Sequence, residues 1–298
     1  MTWYGGEPLL GLNVIQSILD GLSKRNIHLN RHTIVTNGFL FNSKAISLFE
    51  KHPLDGIQIT LDGVASRHDR LRCLKVTHAP TFDTIVNNIQ NIAQTFPNTK
   101  IDVRVNIDKN NTNDYFILER DINNLIRSNN LTVYPGIIRL ENEEKTNIVE
   151  PAFGRWETAQ FLYDLYSNGI LRGDSYPSVR RSKTCCASCV NSFIIGPEGE
   201  IYKCWNDVSD ESKVVGHIQN NKIENKTLYN RYHIGCAWYN DAECRKCFFL
   251  PICNGKCAWY NELNLYHQGH FNLCQCLQKA PGLLDKCLED YYNKINLK

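Results

Sequence analysis

No stretch of this sequence approaches the roughly 20 consecutive apolar residues that a membrane helix needs, and the amino terminus carries no charged-then-apolar signal segment. Neither sign of charge dominates. The 33 basic and 31 acidic residues leave a net +2 at neutral pH, too weak a field to recruit nucleic acid or an anionic membrane. Internal repeats and low-complexity linkers are missing as well. Cysteine is nearly missing from the first 184 residues: of thirteen in the chain only Cys73 lies there, and the others follow Thr184. These absences lead to the expectation of a cytoplasmic protein with no nucleic acid and no membrane partner. The step in cysteine content marks a domain boundary between 1–184 and 185–298. At 298 residues, 42% of them hydrophobic, the chain is long enough to core both domains. In a reducing compartment clustered thiols serve as metal ligands rather than disulfides.

The first half alternates strand and helix. "RHTIVTNG", "DGIQITLDG" and "KIDVRVNID" are β-rich runs ending in polar residues. Between them "GLNVIQSILDGLSKRN", "NSKAISLFEKH" and "TFDTIVNNIQNIAQTF" read as helices, the last with Phe82, Ile85, Val86, Ile89, Ile92, Ala93 and Phe96 on one stripe. "NDYFILERDINNLI", "LTVYPGIIRL" and "RWETAQFLYDLYSNG" continue as helix, strand and helix. Such alternation implies an α/β fold with a parallel sheet. Period two puts Ile101, Val103, Val105 and Ile107 on one face and Asp102, Arg104 and Asn106 on the other; Ile57, Ile59 and Leu61 likewise oppose Gln58, Thr60 and Asp62. A doubly covered parallel strand is apolar on both faces. These polar faces therefore predict a concave, ligand-holding interior, as in a complete or partial barrel whose site lies at the C-terminal strand ends.

"YGGEP", "TNGFLF", "ITLDG" with "HDRLR", and "RVNID" occur in the order seen in radical S-adenosylmethionine (AdoMet) enzymes, and the first half resembles their partial (β/α) barrel. The resemblance implies that Gly5, Gly6 and Glu7 contact the methionyl part of AdoMet, the glycines allowing close backbone approach. It likewise implies that Thr60, Arg104 and Asn106 face the cofactor's carboxylate and ribose, the arginine fork suiting a carboxylate. His68 and Asp69 belong to an "HD" turn with a structural role. The nine histidines show no paired metal spacing.

The second half reads C-x2-C-x5-C-x3-C-x16-C from Cys244, preceded by "CCASCVNSFIIGPEGEIYKC", in which Cys189 is followed by nine residues, Gly199, four more and Cys204. It is similar to the SPASM extension that holds two auxiliary 4Fe-4S clusters. That similarity implies one cluster on Cys244, Cys247, Cys253 and Cys274, and a nearer one on Cys186, Cys189, Cys204 and Cys257. Cys185 is an alternative to Cys186, and Cys276 to Cys274. "SFIIGPEGEIYKC" reads as a hairpin turning at "GPEG". The competing zinc reading takes "CRKC" with "CNGKC" and leaves Cys186, Cys189, Cys204 and Cys274 unexplained. Cys73, Cys236 and Cys287 are expected to be small buried hydrophobes.

In the family, a C-x3-C-x2-C loop ahead of GGEP holds a third 4Fe-4S cluster, which reduces AdoMet so that it abstracts hydrogen from substrate. No such triad occurs in these 298 residues. The expectation is a fragment whose full-length parent binds AdoMet and that third cluster, with a degenerate relative as the alternative. The resemblance implies a peptide or protein substrate and an electron donor as partners. Its leading expectation is a maturase of ribosomally synthesised peptides. Sulfatase-maturing relatives carry a base aspartate directly after the cysteine equivalent to Cys204; here Trp205 stands there, with Asp207 two residues on. Sulfatase maturation is thus the weaker option, and a non-catalytic iron-sulfur electron-transfer or peptide-binding partner is the reading from another class. Eight thiolates matching two cubanes predict about 8 iron and 8 sulfide per chain after anaerobic reconstitution; stoichiometric zinc without iron would contradict this.

Overall fold

The structure is a computed structural model and describes residues 1–138, 151–168, 185–247, 255–271 and 282–296. The chain divides into two compact units, Met1–Ile138 and Arg139–Lys298. The cysteine step at Thr184 thus falls inside the second unit.

Five parallel strands form the first unit's sheet: β1 (Thr2–Trp3), β2 (Thr33–Thr36), β3 (Gly56–Leu61), β4 (Lys100–Ile107) and β5 (Leu131–Ile137), in spatial order β1-β2-β3-β4-β5. Strand order equals chain order. A parallel crossover has one favoured hand, so a sheet that never reverses its direction of travel sets its helices on one face. The connecting helices are α1 (Leu12–Lys24), α2 (Ser43–Lys51), α3 (Ala65–Leu71), α4 (Phe82–Thr95) and α5 (Thr112–Ile126). This is the α/β, barrel-wall arrangement that the alternating sequence implies. Ile57, Ile59 and Leu61 on β3 and Ile101, Val103, Val105 and Ile107 on β4 are buried at 2% exposure or less, and α5 packs on β4 and β5. On α4, Ile85, Ile89, Ile92 and Ala93 are the buried members of the apolar stripe.

Local chemistry explains the boundaries. The Asn42 side chain caps α2 by accepting from the N–H groups of Lys44 and Ala45. Pro135 has no N–H to donate; it is accommodated on β5, which has a partner on one side only among the described strands. The expected "HD" turn is instead helical, lying in α3. Its structural role stands: Asp69 Oδ1 accepts from the N–H groups of Thr81 and Phe82, at 2.8 and 2.9 Å, where α4 begins.

The second unit contains α6 (Arg155–Ser167) and a four-stranded antiparallel sheet of β6 (Ile194–Ile195), β7 (Glu200–Tyr202), β8 (Gly216–His217) and β9 (Lys222–Ile223). It continues with α7 (Lys226–Asn230), α8 (Ala242–Arg245), α9 (Ala258–Tyr266) and α10 (Leu283–Asn296). β6 and β7 pair as the expected hairpin, closed by Gly199 N–H donating to Gly196 O at 3.2 Å. Ala187, Cys204, Val215, Leu228, Tyr232, Cys236 and Ala258 form a buried cluster. Cys236 is thus the small buried hydrophobe expected. Cys73 is not: it is only partly covered, with Sγ 3.7 Å from His78 Nδ1 in an exposed loop. Among the described residues no helix is long and apolar enough to cross a membrane.

The fully buried Ile89 fills the space between α4 and its neighbours. Ile89→Ala is expected to lower the unfolding free energy by about 2–5 kcal/mol, read as a lower denaturation midpoint at unchanged slope. Gln94→Ala, on the solvent side of the same helix, should leave the midpoint in place.

Candidate functional site

The face of the sheet opposite the apolar one carries the polar residues that period two assigns to it. Parallel register sets Gln58 beside Asp102, Thr60 beside Arg104, Arg104 beside Tyr134, and Asn106 beside Gly136. Gln58, Thr60, Asp102, Arg104, Asn106 and Tyr134 are half-buried, and the Tyr134 hydroxyl donates to Gln58 Oε1 at 2.9 Å. At Gly136 a Cβ would stand 2.2 Å from Arg104 Nε and 2.8 Å from Asn106 Oδ1. Only glycine lets those two side chains lie against β5. Arg104 Nε and Asn106 Oδ1 are buried and lack a hydrogen-bond partner. A buried donor or acceptor left without a partner costs about 1–3 kcal/mol. A ligand bearing both an acceptor and a hydroxyl donor removes both penalties, so the residues present fit the carboxylate and ribose of AdoMet.

Glu7 ties the loop after β1 to the end of β2. Oε1 accepts from Thr36 Oγ1 at 2.7 Å and from Leu9 N–H at 3.0 Å, while Oε2 accepts from Asn37 N–H at 2.7 Å. Oε2 therefore keeps one lone pair for a ligand. Gly5 adopts φ +146°, and a Cβ on Gly5 or Gly6 would meet nothing within 4 Å, so the main chain there is open to close approach.

A network that periodicity and motif spacing do not foreshadow lies beside Asn106. Asp62 Oδ1 accepts from Asn106 Nδ2 at 2.6 Å, and Asp62 Oδ2 accepts from Arg72 Nε. Arg67 donates to Asp62 O at 3.2 Å through Nε and to Asp108 Oδ2 at 2.5 Å through its terminal nitrogen. Asp62 N–H donates to His68 Nδ1 at 3.2 Å, which leaves the proton of the neutral ring on Nε2, 3.2 Å from Thr81 Oγ1. Burial lowers the His68 pKa and keeps it neutral. Asp62 and Arg72 both lie in the quoted motifs; their partnership across ten residues is a tertiary fact.

In the second unit, Cys186 begins a short 3-10 turn ending at Ser188, Cys204 follows the hairpin, and Cys257 caps α9. Cys185 is drawn to the same place. The Cys186 thiol donates to Cys185 Sγ and is pushed up in turn, while Cys185 falls to about 6 through that bond, the N–H groups of Ala187 and Ala258, and the Lys203 charge. Burial pushes Cys204 up to about 12, with Asp207, Cys257 and Cys185 adding to the effect. Lys203 is buried and donates to Cys189 O at 2.6 Å and Ser192 O at 2.7 Å. Its ammonium also lies 4.8 Å from the Phe193 ring centre and 5.1 Å from that of Tyr229. These soft sulfur donors beside a buried cation suit a thiolate-bound iron-sulfur group in chemistry. Among the described residues no three His, Cys, Asp or Glu side chains stand in direct metal-holding geometry. Cys244 lies in α8 and Cys247 just beyond its end, Cys247 N–H donating to Cys244 O at 3.1 Å. Cys253 and Cys274, and the alternative Cys276, lie outside the described residues.

Trp205 is 54% exposed. Asp207 is buried: Tyr232 donates its hydroxyl to Oδ2 at 2.8 Å and Trp259 Nε1 donates to Oδ1 at 2.9 Å. Burial raises its pKa and the two donors oppose the rise. No bulge brings this carboxylate to the position after Cys204; both its oxygens serve the core.

Residues 1–120 match the radical SAM superfamily. The chain is similar to the cysteine-type anaerobic sulfatase-maturating enzyme of Clostridium novyi, 26% identical over 289 residues, covering 88% of this chain and 74% of that protein. It is also similar to the radical SAM cyclopropyl synthase TigE of Paramaledivibacter caminithermalis, 22% identical over 282 residues, covering 86% of this chain and about half, 53%, of that one. The solved structure of native anSMEcpe with bound AdoMet and Cp18Cys peptide shares the fold, with a TM-score of 0.70 at 17% identity, covering 99% of this chain and 84% of that one.

With a pKa of about 6, Cys185 is thiolate at neutral pH. In metal-free protein, iodoacetamide is expected to label Cys185 at pH 7 far faster than Cys204 or Cys236, and the labelling to fall away as the pH drops below 6, read by peptide mass spectrometry. Equal labelling of the three would contradict the assignment.

Proposed function

We propose, from the premise that residues 1–120 of this chain belong to the radical SAM superfamily, that the chain serves an oxidoreductase that abstracts hydrogen from a peptide, and specifically a maturase of ribosomally synthesised peptides. The observation that carries the reading is the pair of buried, partnerless atoms Arg104 Nε and Asn106 Oδ1 on the polar face of the sheet. In this reading the Arg104 fork takes the carboxylate of AdoMet, Asn106 and Thr60 take the ribose, and Glu7 Oε2 with the open backbone of Gly5 and Gly6 takes the methionyl ammonium. Bound and reduced AdoMet supplies the hydrogen abstraction. The protein's part is to fix the cofactor's orientation and to present the substrate to it.

The thiols of the second unit would hold two auxiliary 4Fe-4S clusters, the nearer on Cys186, Cys189, Cys204 and Cys257, with Cys185 in reach of the same group, and the other on Cys244, Cys247, Cys253 and Cys274. A third 4Fe-4S cluster and an electron donor complete the system. The reducing cytoplasm suits so many thiols.

Sulfatase maturation is favoured by the 26% identity to a sulfatase-maturating enzyme, and the Asp207 geometry speaks against it. A general base must reach its proton at hydrogen-bond distance, and Asp207 is buried with Tyr232 and Trp259 on its two oxygens. The chain supplied with a C-x3-C-x2-C segment ahead of β1, reconstituted anaerobically with AdoMet and reductant, is expected to remove hydrogen from a short peptide encoded beside its gene, seen by mass spectrometry. Conversion of a sulfatase-motif cysteine or serine to formylglycine would overturn the choice of substrate.

A further inference from the structure

Asp62 is fixed at each of its polar groups. Its N–H meets His68 Nδ1, its carbonyl meets Arg67 Nε, Oδ1 meets Asn106 Nδ2 and Oδ2 meets Arg72 Nε. An ionised carboxylate can only accept. The Asn106 amide facing it must therefore turn its NH2 toward Asp62, which settles the orientation of a group whose two ends otherwise look alike. The opposite end, Oδ1, is thereby directed away from Asp62, and it is the buried atom without a partner. The backbone beneath is held as firmly: Asn106 O accepts from Asn111 Nδ2 at 3.1 Å, and Asn111 Oδ1 accepts from Asp108 N–H at 2.7 Å.

We propose that Asp62, anchored by Arg72, is a positioning residue that locks the Asn106 amide with its oxygen presented to a hydroxyl donor of the nucleoside ligand. The inference rests on the AdoMet-pocket reading for the identity of the ligand and on the hydrogen bonds alone for the lock. Without Asp62 the amide is free to turn, and half its orientations present an NH2 to a hydroxyl that needs an acceptor. Arg72 acts one step further back by holding the carboxylate in place, so its loss loosens the lock without removing it.

The test has two arms on the folded chain, with folding checked by circular dichroism. In asparagine-selective 15N spectra, the Asn106 side-chain NH2, assigned by its disappearance in Asn106→Asp, is expected to be shifted and slow to exchange in the wild type. In Asp62→Ala it should move to the exposed-amide position, while in Arg72→Lys it should stay near its wild-type place. Calorimetric titration with AdoMet is expected to show affinity lost by roughly five- to tenfold in Asp62→Ala, the scale of one hydrogen bond. An Asn106 signal unchanged in Asp62→Ala overturns the lock. Wild-type affinity in Asp62→Ala together with loss in Asn106→Asp overturns its role in binding. Failure of the wild type to bind AdoMet overturns the pocket reading instead, and the NMR arm still decides the lock. Should Asp62→Ala not fold, Asp62→Leu, which offers no acceptor to the Asn106 amide, is read in its place, and the same outcomes apply.

Discussion

Each strand of the first unit lies beside the next in chain order, so the helices cover one face of the sheet and the other is left to side chains. The placement of every polar group on the sheet depends on that constraint. Ile57, Ile59, Val103 and Val105 take the helix-covered face and are fully buried. Because β residues alternate, Gln58, Thr60, Arg104 and Asn106 must take the other. Polar groups in such a place are stable only when paired, and most are: Tyr134 with Gln58, Asn106 with Asp62, Glu7 with Thr36 and Asn37. Arg104 Nε and Asn106 Oδ1 are the buried exceptions among the described residues. Two unmet needs of opposite sense, adjacent on one face, are what a small polar ligand satisfies.

The second unit solves another problem, that of holding thiol-bearing loops with little regular structure. Its means are buried charges. Lys203 gathers the carbonyls of Cys189 and Ser192, and Asp207 joins the turn after Cys204 to Tyr232 and Trp259. Glu262, fully buried on α9, accepts from Lys213 at 3.0 Å and from Arg231 at 3.3 Å; burial pushes its pKa up, and Lys213 and His267 more than offset this and lower it. Removing one member of such a set strands the others in the interior, which is costlier than any single bond suggests.

The strands, the helices and the two faces of the sheet were legible because period two and period 3.6 are local properties. The hairpin at "GPEG" was legible for the same reason. The "HD" segment misled because a turn signal and a one-turn helix start share residues; whether Ala65–Leu71 winds into a helix depends on its tertiary bonds to Asp62 and α4. The burial of Lys203 and Glu262 left no trace in composition, since a lysine or glutamate on a short strand or helix reads as solvated until its partners are known. Cys73 was misjudged by frequency: cysteines are commonly buried, but this one lies on an exposed loop beside His78.

The central claim is that the polar face of the sheet binds AdoMet through Arg104. Equilibrium binding of AdoMet to the wild type and to Arg104→Met tests it most directly, with anaerobic iron content as the control for the second unit. Saturable binding that is lost in the variant at unchanged iron content is expected; equal binding by the two proteins would contradict the claim.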